Sequence, residues 1–175
     1  MTAGHKSAFS VANQPEIQES ELSAVEMLAR SVEQAHFKLI WMAIESPVTR
    51  SDFLSHLAAR FGCPLLGVGK LLSSALLDQP APLRPASAEN AFYDMLHQSG
   101  AEMMCLDHLE ILFDQSLMLK AVDLIRNASR RFVLIAAWPG TVDATGLSFG
   151  PADHPSHFRI SFSEMECPVY QISTS

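Results

Sequence analysis

The sequence predicts a three-layer α/β fold with a mainly parallel sheet, and three observations predict it. Short, continuous apolar runs such as Phe37–Ile44 (FKLIWMAI) and Phe132–Ala137 (FVLIAA) read as strands buried on both faces, as parallel sheets require. Between them lie longer segments whose apolar residues recur at helical spacing, and strands alternating with helices imply βαβ crossovers. The chain has 175 residues, 48 % hydrophobic and 18 % charged, which suits one compact domain with a sizeable core.

Taken in order, residues 1–18 show no periodicity and are expected to be a flexible segment ahead of a single domain over 19–175. From Ser20, the spacing of Leu22, Val25, Leu28 and Val32 gives an amphipathic helix ending near Ala35. Phe37–Ile44 is the first strand. Residues 45–50 interrupt it, and Ser51 and Asp52 open a helix carrying Phe53, Leu54, Leu57, Ala58 and Phe61, closed by Gly62. Leu65–Val68 is a short strand and Lys70–Leu77 a helix, while Pro80, Pro82 and Pro85 make an extended connector. A helix from Ala86 to Gln98 ends at Gly100. Met103–Leu106 is a buried strand ending at Asp107, and a helix from Leu117 to Arg130 leads to the strand Phe132–Ala137. After Trp138-Pro139-Gly140, short strands are expected at Leu147–Phe149, Arg159–Phe162 and Val169–Ile172.

Composition narrows the function classes. The net charge of −7, with no run of lysine or arginine, disfavours general attraction to nucleic acid. The local cluster Arg126, Arg130 and Arg131 fits a helix C-terminal dipole or, alternatively, a small basic patch. No apolar run approaches the ~20 residues that span a bilayer. The first 18 residues are too polar for a secretory signal, so a cytoplasmic protein is expected. Cys63, Cys105 and Cys167 are odd in number and widely spaced, the pattern of reduced thiols rather than of a disulfide framework or a zinc site. The seven histidines form neither an HExxH pattern nor a Cys/His cluster. His154 and His157 read as part of an exposed loop or as a binding surface. No G-x-S-x-G elbow is present.

In a parallel sheet, ligands bind beyond the carboxyl ends of the strands, so the segments after Ile44, Leu106 and Ala137 carry the interest. After the first strand stand Ile44-Glu45-Ser46-Pro47-Val48-Thr49-Arg50-Ser51. A phosphate-binding loop would put glycines there, then lysine, then Ser or Thr opening a helix. Thr49 occupies the place of the last glycine, and its β-branch resists positive φ. Pro47 removes an N–H, and Glu45 adds negative charge. Arg50 keeps the lysine's charge on a bulkier fork. Ser51 keeps the hydroxyl that would touch magnesium. An ordinary strand-to-helix turn is the plainer reading of the same residues. The downstream octapeptide Pro64–Leu71 offers Gly69-Lys70, yet it lacks the first glycine and the hydroxyl residue. The helix closing at Gly62 leaves no room for a strand before it. Met103-Met104-Cys105-Leu106-Asp107 has the form of a Walker B strand, whose acid holds magnesium, with Glu110 the next acid beyond His108.

Read together, these segments resemble BrxF, the small P-loop component of BREX bacteriophage-exclusion systems. The resemblance runs from about Leu22 to Ile172. It rests on FKLIWMAI with SDFLSHLAARFG, on PLLGVGKLLSSALLD, on MMCLDHLEILFDQSL, on IAAWPGT and on GPADHPSHFR, of which AWPG and LDHLEILFD are the most specific. It implies a P-loop NTPase-like fold and a place in phage defence beside other BREX proteins. Carried over by position, Arg50 takes the Walker A lysine place, Ser51 the hydroxyl place and Thr49 that of the last glycine. Asp107 takes the Walker B acid, Glu110 the nearby glutamate and Trp138 the tryptophan after the third strand. ATP would then be held at Thr49, Arg50 and Ser51, with magnesium at Ser51 and Asp107 and with Asp107 and Glu110 as catalytic acids. Because the Walker A glycines and lysine are missing, a component acting through protein contacts is expected, with weak or no ATP hydrolysis. Two alternatives stand beside it: an active ATPase completed by homo-oligomerisation, and a DNA-binding accessory protein using Arg126, Arg130 and Arg131.

Overall fold

A computed structural model describes residues 19–172. The segment expected to be flexible, residues 1–18, lies outside them. Helix α1 (Glu19–Val32) precedes β1 (Leu39–Ile44), and α2 (Pro47–Phe61) leads to β2 (Leu65–Gly67). Then come α3 (Val68–Leu76), α4 (Arg84–Gln98) and β3 (Met103–Asp107). After β3, two 3-10 turns (Leu109–Phe113 and Gln115–Leu117) lead to α5 (Ala121–Ala128) and β4 (Val133–Ala137). The C-terminal part holds β5 (Thr141–Val142), β6 (Gly146–Phe149), β7 (Phe158–Ser161), α6 (Phe162–Met165) and β8 (Val169–Ile172).

Five strands form a sheet in the order β2-β3-β4-β1-β8, with every neighbouring pair parallel. The alternation of side chains along each strand divides the core in two. Ile40, Met42 and Ile44 of β1 pack with Leu22 and Val25 of α1 and with Phe53, Leu54 and Leu57 of α2. Leu39, Trp41 and Ala43 face α3, α4 and α5 through Leu72, Phe92 and Ile125. Helices therefore cover both faces, which explains why all six residues of β1 are buried. The antiparallel β5-β6-β7 sheet caps the second face through Leu147 and Ile160. Its packing centres on Phe113, which stacks on Phe149 at 4.5 Å and meets the Trp138 ring edge-on.

The turn after β1 differs most consequentially from the sequence expectation. Helix α2 starts at Pro47 rather than at Ser51, so Pro47, Val48, Thr49 and Arg50 are already helical. Proline is at home in a first helical turn, where its missing N–H has no intrahelical partner to lose. Ser46 caps the helix, its hydroxyl accepting from the Thr49 N–H at 3.3 Å. At the other end, Gly62 adopts φ 63° and closes α2 as expected.

Two further expectations are corrected. The proline-rich connector is a 3-10 turn (Ala81–Leu83) running into α4, because Pro82 and Pro85 each sit in a first turn. The helix expected from Leu117 begins only at Ala121, since Met118 takes a left-handed conformation (φ 53°) that stops it. Strand β5 and the short helix α6 carry too few residues to show a periodicity. Among the described residues, no helix is long and apolar enough to cross a membrane.

Candidate functional site: a buried arginine at the carboxyl ends of three strands

Strands β3, β4 and β1 lie side by side, so the chain segments leaving their carboxyl ends meet in one place. Arg50 reaches them from the first turns of α2. Its backbone N–H bonds the Ser46 carbonyl at 2.9 Å, and helical side chains lean back toward the N-terminus. That lean carries the guanidinium over the strand ends, where the residue is 3 % exposed.

All three segments supply partners. Nη1 donates to the Trp138 carbonyl at 3.1 Å, just past β4. Nη2 donates to Glu110 Oε1 at 3.2 Å, on the 3-10 turn after β3. Nε lies 3.5 Å from Asp107 Oδ1, an ion-pair distance that lacks hydrogen-bond geometry, so among the described residues the Nε–H has no acceptor. Asp107 is itself buried. Its Oδ2 accepts from Ser51 Oγ at 2.6 Å and its Oδ1 from the His108 backbone N–H at 2.8 Å.

The turn that presents Glu110 is strained. His108 has φ 55° and ψ 54°, a left-handed conformation uncommon for a non-glycine residue. The Asp107 carboxylate holds it by accepting the His108 N–H, and the imidazole points largely to solvent, 58 % exposed. Helix α3 packs tightly beneath: a Cβ on Gly69 would lie 3.2 Å from the His108 carbonyl oxygen. Gly69 thus serves a close approach of helix to turn. The octapeptide around it contains β2, which passes into α3 at Val68 with no intervening loop.

Of the residues singled out from the sequence, Arg50, Ser51, Asp107 and Glu110 converge, while Thr49 contributes its N–H to the Ser46 cap. The Trp138 carbonyl and the His108 turn are site features that the sequence does not reveal, because neither a backbone carbonyl nor a dihedral leaves a residue signature. The indole of Trp138 is fully buried, its Nε1 donating to the Ser148 carbonyl at 3.0 Å. The residues present do not fit the cradle that a triphosphate with magnesium needs. Pro47 has no N–H, those of Thr49 and Arg50 are taken by Ser46, and a cation of the protein already sits against the acids. Among the described residues, no group of three or more His, Cys, Asp or Glu could hold a metal ion.

The other candidates lie elsewhere. Arg126 is tied to Asp123 at 2.6 Å, to the Glu164 carbonyl at 3.1 Å and to Glu166 at 3.4 Å. Both Arg126 and Arg130 stand over the Phe37 ring at 5.6 Å, and Arg131 stands 5.7 Å from that of Phe132. His154 Nδ1 accepts from the Ser156 N–H at 3.1 Å, and His157 Nδ1 bonds the Gly150 carbonyl at 3.0 Å, so both histidines shape their own loop. That loop borders a depression of about 480 Å³ shared with Phe113 and Lys120. Comparison of the chain with family models, curated proteins and solved structures finds no match.

Proposed function

We propose that this protein is a BrxF-like component of a BREX phage-defence system. In this reading it has a P-loop NTPase-type fold with a closed phosphate loop and acts through contacts with other BREX proteins, with weak or no ATP hydrolysis. The observation that carries the reading is the position of Arg50. Its guanidinium lies where the strand ends meet, held by Asp107, Glu110 and the Trp138 carbonyl. A phosphate group entering there would have to displace two carboxylates and unwind the first turn of α2. The two most specific segments of the resemblance, LDHLEILFD and AWPG, supply those partners. This ties both segments to the architecture of the site.

Calorimetric titration with ATP and magnesium tests the closed loop. The expected result is binding no tighter than millimolar, unchanged in Arg50→Ala. Tighter binding that disappears in both Arg50→Ala and Asp107→Ala would overturn it. The defence role is tested by deleting the gene in its source strain, where phage plating efficiency should rise; unchanged plating would remove that role.

The active-ATPase reading is favoured by one observation, the 2.6 Å bond between Ser51 Oγ and Asp107, which keeps hydroxyl and acid where magnesium would need them. It requires Arg50 to leave its partners, and the same titration separates the two readings. The DNA-binding reading ranks below both. The carboxylates of Asp123 and Glu166 beside Arg126 would repel nucleic-acid phosphates.

A further inference from the structure

The sequence separates Cys63 from Cys105 by 42 residues, and the fold brings their sulfurs to 3.9 Å. Strands β2 and β3 pair in parallel with Leu65 opposite Cys105, and the Cys105 N–H bonds the Pro64 carbonyl at 3.0 Å. That bond fixes the chain next to Cys63 against the middle of β3. Cys63 directly follows the Gly62 cap of α2 and is half-buried, so one thiol of the pair reaches solvent. Cys105 is fully buried among Phe53, Leu54 and Leu57 of α2. One sulfur is accessible, and a second waits behind it within reach.

We propose that Cys63 and Cys105 form a peroxide-oxidisable dithiol site, in which Cys63 is the attacking sulfur and Cys105 the resolving one. The Cys63 thiolate attacks one oxygen of hydrogen peroxide, the O–O bond breaks, and Cys63 becomes a sulfenic acid. The hydroxide released takes up the proton that Cys63 lost, leaving as water. Cys105 then attacks the Cys63 sulfur, an S–S bond forms, and the sulfenic hydroxyl departs as a second water with the Cys105 proton. Two electrons pass from the thiol pair to the peroxide, and a disulfide remains.

The surroundings assign the roles in that order. A hydrogen bond from the Cys105 S–H, with help from the backbone N–H groups of Cys105 and Cys63, holds the Cys63 thiol below its ordinary range. The same hydrogen bond and burial push Cys105 far up. The more acidic and more accessible sulfur is therefore the one that meets the oxidant. Cys167 lies with the cluster on the other face of the sheet, and burial pushes its thiol up to about 11.

The test treats the full-length reduced protein, freed of reductant, with hydrogen peroxide and reads intact mass and digested peptides. The expected product has lost two hydrogens and gives a linked peptide pair containing Cys63 and Cys105. Cys63→Ser should abolish the link, Cys167→Ser should leave it, and Cys105→Ala should show one or two oxygens added at Cys63. Wild-type protein that gains oxygen at Cys63 while Cys105 stays a free thiol would overturn the proposal. So would a link to Cys167 or between two copies. The wild-type measurement decides between these outcomes without any variant, so poor folding of Cys105→Ala would not change the result.

Discussion

Replacing Arg50 with alanine removes the cation from between two acids and a carbonyl, and the cost follows from burial. The Arg50 and Asp107 side chains are only 4 % and 3 % exposed, whereas that of Glu110 is 44 % exposed. The half-exposed Glu110 bridge contributes little, about 0–1 kcal/mol. The loss comes from Asp107, left as a buried carboxylate that accepts from the Ser51 hydroxyl and the His108 N–H, with the largely exposed His108 imidazole 3.6 Å away. Breaking a buried pair from one side costs about 3–5 kcal/mol. With a urea slope of about 2 kcal/mol per molar, the midpoint should fall by roughly 1.5–2.5 M. The fully buried Trp41 and Trp138 supply the fluorescence signal, and Trp138 reports the site directly. Replacing both partners, Arg50→Met with Asp107→Asn, removes the stranded charge. The double variant should therefore cost about 2 kcal/mol less than the sum of the singles, within the range of coupled neighbours. A midpoint shift in Arg50→Ala worth under about 1 kcal/mol, or strict additivity in the cycle, would refute the view of Arg50 as an internal counter-ion.

Two other predictions concern the rest of the fold. A Cβ on Gly140 would stand 1.9 Å from the Ser148 carbonyl oxygen, which also accepts the Trp138 indole N–H, so backbone must move. Gly140→Ala should cost about 1–3 kcal/mol and lower Tm by several degrees in a thermal melt. An unshifted Tm would contradict the close packing of β6 on that turn. Burial and a hydrogen bond to Glu21 push the Tyr170 phenol up to about 12. Because the folded value lies above the ordinary ~10, the stability it confers is complete below that pH and is lost as pH rises through about 12. Ultraviolet titration of Glu21→Gln should show Tyr170 ionising at lower pH than in wild type, and an unmoved curve would remove Glu21 as a cause.

Local patterning is enough to mark the central strands and the α/β class. Unbroken apolar runs at 39–44, 103–106 and 133–137, set between helical segments, read as strands of a sheet covered on both sides. The same patterning marks Arg50, Ser51, Asp107 and Glu110, since strand ends in such folds point their successors toward a shared crevice. It misplaces the start of α2, because Ser51-Asp52 and Ser46-Pro47 are both sound helix openings locally. The choice between them rests on contacts far along the chain. Starting at Pro47 sets Arg50 one turn into the helix, where Asp107, Glu110 and the Trp138 carbonyl, up to 88 residues away in sequence, can receive it. The strand order, the approach of Cys63 to Cys105 and the use of Gly69 against the His108 turn come from the folded arrangement and from nothing before it. Each depends on which distant backbones lie side by side, and periodicity within a segment carries no information about its neighbours.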